Sequence, residues 1–309
     1  MGAQLRVYRR QIKSVQSTKK ITKAMELIAA SRIVKAQNRM NAARPYSSEL
    51  TKALSALARN ASLQHPLLTG SETPQRAAIL LVAADRGLAG GYSSNAIKCA
   101  NELADRLRSE GKEPVLYVIG RKAVGYYKFR HINVVQSWTG FSEQPQFVNA
   151  RDAGVALVSA LTRTSRPEDG GEPGVDELYL VYTKFASMIT QTPVAEQLAP
   201  LAKAGLGTAE EEAVSKGPQP AYDFEPEAEE LLTTLLPRYI SARIFAGLLE
   251  SAASESASRR RAMKSASDNA SELIGTYTRL ANQARQAEIT QEISEIVGGA
   301  DALAAAGSE

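Results

Sequence analysis

A run from Glu227 to Leu303 constrains the chain more than any other stretch. Leu273, Tyr277, Leu280, Ala284 and Ala287 follow one another at intervals of four, three, four and three residues. That is the a/d spacing that keeps one face of a helix against a partner helix. Met263, Ala266 and Ala270 extend the seam backwards; after a short slip, Ile289, Ile293, Ile296, Ala300 and Leu303 carry it forwards. A slip of this kind changes the local supercoil without ending the helix. With about 1.5 Å per residue, the helix is on the order of 100 Å long. No compact domain of this size uses such an element, so it spans something or is wound into something.

The other end of the chain supplies a partner. Residues 1–62 contain no proline before Pro45 and only Gly2 as glycine. Ile12, Val15, Ile21, Met25, Ile28, Ile33, Ala36 and Met40 approximate helical spacing. Pro45 introduces at most a kink, because "SSELTKALSALARN" resumes the pattern. This helix is strongly basic, from Arg6 to Arg44, with Glu26 as the one acid in that span. Such a run is either a solvated face or a surface for an acidic partner or a nucleic acid.

Between the two ends the pattern changes. "AAILLVAA" (77–84) reads as a buried strand, followed by the Gly-rich turn "DRGLAGGYSSN" and a helix over 93–110. "PVLYVIG" (114–120) is a second strand with a short helix to 129, and "HINVVQS" (131–137) is a third. "QFVNARDAGVALVSALTR" is an amphipathic helix; "DELYLVYTKF" (176–185) and "SMITQTPVAEQL" (187–198) form two neighbouring strands. Alternating strands and helices imply a largely parallel sheet covered by helices. The fold class is therefore α/β: long N- and C-terminal helices form an antiparallel coiled coil around an inserted Rossmann-like α/β domain. The expected divisions are the first helix over 1–62, the domain over 75–200, an acidic linker over 201–226 and the last helix over 227–305. "TSRPEDGGEPGVDE" (164–177) is an exposed loop, longer than an ordinary helix-to-strand connection. The Ala- and Ser-rich stretch "LLESAASESASRRRAMKSASDNAS" is either coiled-coil surface of high helix propensity or a smooth, weakly adhesive axle face.

Composition narrows the function classes. The 309 residues include one cysteine, Cys99, and two distant histidines, His65 and His131. A disulfide framework is excluded and a zinc site is not expected. No apolar run of membrane-spanning length occurs, and the N-terminus lacks the apolar core of a secretory signal. Gly87, Gly90 and Gly91 follow a strand and precede a helix, but they do not make G-x-G-x-x-G, and no Walker motif occurs. Asp85 and Arg86 beside that turn have no base or nucleophile to work with. No catalytic residue, cofactor or metal ligand is expected. Two other classes are a nucleic-acid-binding coiled-coil protein, which lacks interleaved aromatics, and a Rossmann-type enzyme, which lacks a visible site.

Four segments carry a family resemblance: "MGAQLRVYRRQIKSVQSTKKITKAMELIAASRIVKAQNRM", "AADRGLAGGYSSN", "AMKSASDNAS" and "ARQAEITQEISEIVGGADAL". They closely resemble the gamma subunits of bacterial F-type ATP synthases. The resemblance implies a non-catalytic rotor shaft, one copy per complex, inside a hexamer of alpha and beta subunits. Its α/β domain would sit against the epsilon subunit and the c-ring, at the cytoplasmic face of the cell membrane, with no nucleic acid among its partners. Proton flow would turn the shaft, which would bias each catalytic site in turn and regulate ATPase activity. The same resemblance marks Lys23, Met25 and Glu26, in "KAME", and Arg259, Arg285, Gln286, Thr290 and Glu292 as contacts with the hexamer. Ala89 stands where many relatives have cysteine, no paired-cysteine regulatory insert is present, and Pro237 should kink the last helix or mark a loose turn. The 164–177 loop is expected to touch the c-ring or epsilon subunit and modulate coupling.

Overall fold

The computed structural model describes residues 2–60, 70–71, 73–163, 173–201 and 228–306. The expected linker and most of the 164–177 loop lie outside the described residues. Ten elements follow one another: α1 (Gly2–Asn60), β1 (Arg76–Val82), α2 (Tyr92–Ser109), β2 (Glu113–Ile119), α3 (Arg121–Phe129), β3 (Gln136–Trp138), α4 (Phe147–Thr162), β4 (Glu177–Phe185), β5 (Gln191–Ala199) and α5 (Ala228–Ala306). Contacts divide the chain into two compact units, residues 29–259 and the pair 1–28 with 260–309. The division cuts through both long helices rather than between elements, because their inner halves pack on the sheet.

In the larger unit the sheet order is β3-β2-β1-β4-β5, parallel except for the antiparallel β4–β5 hairpin. Strand β1 is central and apolar, and its side chains alternate between two cores. Ala77, Ile79 and Leu81 join Ala100, Leu103 and Leu107 of α2 and Tyr127 of α3. Ala78, Leu80 and Val82 join Leu157 of α4, Leu50 and Leu54 of α1, and Ile240, Ile244 and Leu248 of α5. The terminal helices thus supply part of one covering layer of the domain. The third strand is shorter and later than "HINVVQS" suggested: His131 and Ile132 close a turn onto Lys128 and Tyr127, and only Gln136–Trp138 pairs with β2.

Two prolines lie inside the long helices without ending them. Both α1 and α5 are continuous through Pro45 and Pro237. A loose turn at Pro237 is therefore corrected to unbroken helix; Ser241 Oγ donates to the Pro237 carbonyl one turn on. The Ala/Ser stretch divides. Residues 251–257 are buried all round and form no smooth outer face. Strand β4 outruns β1, whose pairing ends at Val181. Beyond it, the N–H of Thr183 donates to Ser251 Oγ at 3.2 Å, Ser254 Oγ donates to the Thr183 carbonyl at 3.0 Å, and the N–H of Phe185 donates to Glu250. Small hydroxylated residues let a helix approach and satisfy a strand's unpaired backbone.

In the smaller unit α1 leaves at Ile28 and α5 enters at Arg260, so the two helices run in opposite directions. On α5 Met263, Ser267, Ala270 and Ala281 are buried, and Ala262, Ala266, Ile274, Tyr277, Leu280, Ala284 and Glu288 are half-buried. The seam expected from sequence agrees at Met263, Ala266, Ala270, Tyr277, Leu280 and Ala284 but includes Leu273 and Ala287, which are exposed. On α1 Thr22 and Glu26 are buried and Leu5, Tyr8, Gln11, Ile12, Val15 and Met25 half-buried, whereas Ile21 and Ile28 face outward. The expected positions Ile12, Val15 and Met25 are thus covered, together with polar ones that apolarity does not mark. The expected continuation through Ile289, Ile293 and Ile296 is exposed as well. Among the described residues the last half-buried position on α5 is Glu288.

Candidate functional site

The residues singled out by sequence fall in three places. Lys23 is exposed and its ammonium lies 3.0 Å from Glu26, a carboxylate largely covered in the helix pair; Met25 beside them is half-buried. Arg285, Gln286, Thr290 and Glu292 are all exposed on α5. From Ile289 to Val297 the same stretch exposes four large aliphatic side chains, Ile296 at 71%. A run of this kind marks an interaction surface when it is contiguous.

Arg259 is different. It belongs to the larger unit and its side chain is only 6% exposed. Its Nη2 lies 2.7 Å from Glu255 Oε1, one turn back on α5, and its Nη1 lies 3.1 Å from Glu143 Oε1 in the β3–α4 loop. Its Nη2 also donates to the Gly87 carbonyl, at 3.3 Å. Burial holds the Glu255 pKa above the ordinary carboxylate value, with the Arg259 charge working against that rise. Glu143 Oε2 in turn receives Arg32 of α1, with Arg86 further off at 3.6 Å.

Arg32, Arg86 and Glu143 of this cluster line a cavity of about 580 Å³ over the carboxyl ends of β1, β2 and β3. Asp85 occupies its floor. One carboxylate oxygen accepts the N–H groups of Gly140 and Ser142 at 2.7 and 3.0 Å, and the other accepts that of Arg121 at 3.1 Å. Burial alone would raise its pKa, but these backbone donors and the Arg121 charge outweigh it and hold Asp85 below the ordinary value. Gly120 shapes the same turn with φ of 106°, and a Cβ there would stand 2.2 Å from the Ala83 carbonyl oxygen. The first backbone donor of α3, the Arg121 N–H, is thus engaged by the chain's own carboxylate. A depressed, fully bonded Asp85 is no general base. Among the described residues no group of three His, Cys, Asp or Glu side chains could hold a metal.

Sequence reasoning missed Arg32, Glu143 and Glu255. The Glu255–Arg259 spacing of four was visible; Glu143, in an irregular loop, gave no periodic signal.

Two long terminal helices, whose inner parts cover one face of an inserted α/β sheet, define a class of two-helix proteins with an α/β domain inserted between the helices in sequence. The family described as ATP synthase matches residues 4–303. The ATP synthase gamma chain of Salinispora tropica is 59% identical over 314 aligned residues, spanning the whole of both chains. That of Acidothermus cellulolyticus is 58% identical over 309, again spanning both. The Tetrahymena thermophila mitochondrial ATP synthase central stalk and c-ring structure shares the fold at a TM-score of 0.57, with 23% identity over 80% of this chain and 99% of that one. A chain of the Euglena gracilis mitochondrial OSCP/F1/c-ring structure, in rotational state 3, gives a TM-score of 0.67 with 15% identity, over 100% and 97% of the two chains. The chain belongs to the ATP synthase gamma family, and its role is that of a non-catalytic central rotor subunit.

Proposed function

We propose that this chain, one copy per complex, carries rotation from a membrane c-ring to a hexamer of alpha and beta subunits. In that reading the α/β domain meets the c-ring and an epsilon subunit, and the helix pair enters the hexamer. The chain is then peripheral, at the cytoplasmic face of the cell membrane. Among the described residues no helix is long and apolar enough to cross a membrane. The observation that carries the reading is the outer end of α5, where Arg285, Gln286, Thr290 and Glu292 are exposed beside an uncovered aliphatic run. Arg285 and Gln286 offer several donors to acids or carbonyls on the hexamer. Lys23, with Met25 and Glu26, forms a second contact to an acidic lever. Arg259 serves from inside, by orienting the loops around Glu143. The 164–177 loop modulates coupling through the c-ring or epsilon subunit.

Each catalytic site would be driven because the asymmetric helix pair favours one hexamer state over another at each angle. The test is ATPase turnover of co-purified alpha and beta subunits with and without the chain. Stoichiometric activation that weakens in Arg285→Ala and Gln286→Ala is expected. Failure of the wild-type chain to associate with the hexamer would sink the reading.

A further inference from the structure

Glu143 receives guanidinium groups from three separate elements. Arg32 comes from α1, Arg259 from α5 and Arg86 from the turn after β1. Glu143 is 14% exposed, on a loop fixed by Ser142, whose N–H donates to Asp85 and whose Oγ accepts from the Asp85 N–H. Position along the helices matters most. The larger unit ends at Ala29 on α1 and at Arg259 on α5, so Arg32 lies within one turn of the first exit and Arg259 at the second. Beyond those points each helix continues unbroken.

Apolar packing of α1 and α5, at Leu50, Leu54, Ile240 and Ile244 and nearer the exits at Ile33 and Ala257, is non-directional. It holds the helices down but resists small axial rotations weakly. The hydrogen bond from Arg32 to Glu143 is directional in distance and angle, whereas Arg259 meets Glu143 as an ion pair without hydrogen-bond geometry, and α5 is also bonded to Thr183 through Ser251 and Ser254. Losing Glu143 would leave Arg259 with Glu255 and the Gly87 carbonyl, and Arg32 with no other ion pair among the described residues, so α1 would be freed first. The buried charge it leaves unpaired also makes this joint costly to open.

We propose that Glu143 is a positioning residue that locks the rotational angle of α1 on the α/β domain and ties it by charge to α5, so that torque enters the helix pair without slip. The proposal rests on the rotor reading above. Glu143 touches no substrate; it acts through Arg32 and Arg259.

The experiment uses assembled complexes with the hexamer fixed to a surface and a bead on the α/β domain. The width of the bead's angular distribution during an ATP-waiting dwell reads the stiffness of the joint. In Glu143→Ala the variance is expected to rise about twofold or more, because the apolar packing that remains is non-directional, and ATP-driven proton pumping per ATP should fall with it. Gly154→Ala, which disturbs packing elsewhere in the same unit, should lower thermal stability yet leave the variance unchanged. An unaltered variance in Glu143→Ala overturns the proposal, as does an equal widening in Gly154→Ala. Should Glu143→Ala fail to assemble, Glu143→Gln is isosteric and uncharged; unaltered variance there has the same meaning. A wild-type bead that does not rotate on ATP sinks the rotor reading instead, so the two failures are distinct.

Discussion

Gly154 of α4 lies so close to Ser241 of α5 that a Cβ on the glycine would stand 2.5 Å from the serine hydroxyl and 3.4 Å from its Cα. Glycine is there for close approach, not for backbone freedom. Gly154→Ala should destabilise the chain by about 1–3 kcal/mol, the usual cost of overpacking a buried contact. Removing the hydroxyl in Gly154→Ala/Ser241→Ala takes away the worst overlap and should recover part of that loss. Urea unfolding of the two single variants and the double would give the coupling energy. A double variant no more stable than Gly154→Ala alone would show that the clash is elsewhere.

Asp85 gives a pH-dependent prediction. Its folded pKa lies below the ordinary 3.8, so its stabilising contribution is present above that value and is lost as pH falls through the folded pKa. Asp85→Asn keeps the shape but gives up the charge on the bonds from Gly140, Ser142 and Arg121. The substitution should cost about 2 kcal/mol at pH 7. The gap between wild type and variant should narrow as pH is lowered below 3.8. Denaturant unfolding of both proteins at pH 7 and at acid pH measures this difference of differences. A gap that stays constant would mean the charge is not what the donors hold.

The two cores of the α/β domain were legible in the sequence because "AAILLVAA" and "LYLVYT" are continuous apolar runs, a pattern that buried central strands require. The long helices were equally plain. Their contact face was legible only in part. Ile12, Val15, Met25, Met263 and Ala270 are covered as the apolar pattern requires, but Thr22, Glu26 and Ser267 are covered too, while Ile21, Ile28 and Leu273 are exposed. A chain that also binds partners carries two apolar stripes, one for itself and one for them, and sequence cannot label which is which. The cluster at Glu143 was hidden for another reason. Ion pairs across more than a hundred residues of chain have no spacing rule, whereas Glu255 and Arg259 share one helix turn.

The Ala/Ser stretch yields a local prediction. Ser254 is fully buried and its hydroxyl donates to the Thr183 carbonyl, where β4 has no strand neighbour on the β1 side. Ser254→Ala leaves that carbonyl without this donor and should cost about 1–2 kcal/mol. The effect should be concentrated at the end of β4. Amide exchange of Thr183 and Phe185, whose N–H groups bond to α5, should quicken more than that of Leu80 in the centre of β1. Uniform quickening would instead mean a global loss of stability with no local joint.

Ile293 separates a residue kept for partners from one kept for the fold. It is 56% exposed and contributes little to the chain's own packing. Ile293→Ser should therefore change thermal stability of the purified chain by less than about 0.5 kcal/mol, the usual range for exposed positions. Met263 is buried in the helix pair, and Met263→Ala should cost about 2–3 kcal/mol. In the assembled hexamer the order should reverse: Ile293→Ser should weaken ATPase activation at limiting chain concentration, and Met263→Ala should weaken it less once the chain is saturating. Titrating each variant into alpha and beta subunits while following turnover measures both quantities. If Ile293→Ser binds and activates like wild type, the aliphatic run on α5 is not the surface the hexamer uses, and Arg285 with Gln286 would have to carry that contact by themselves.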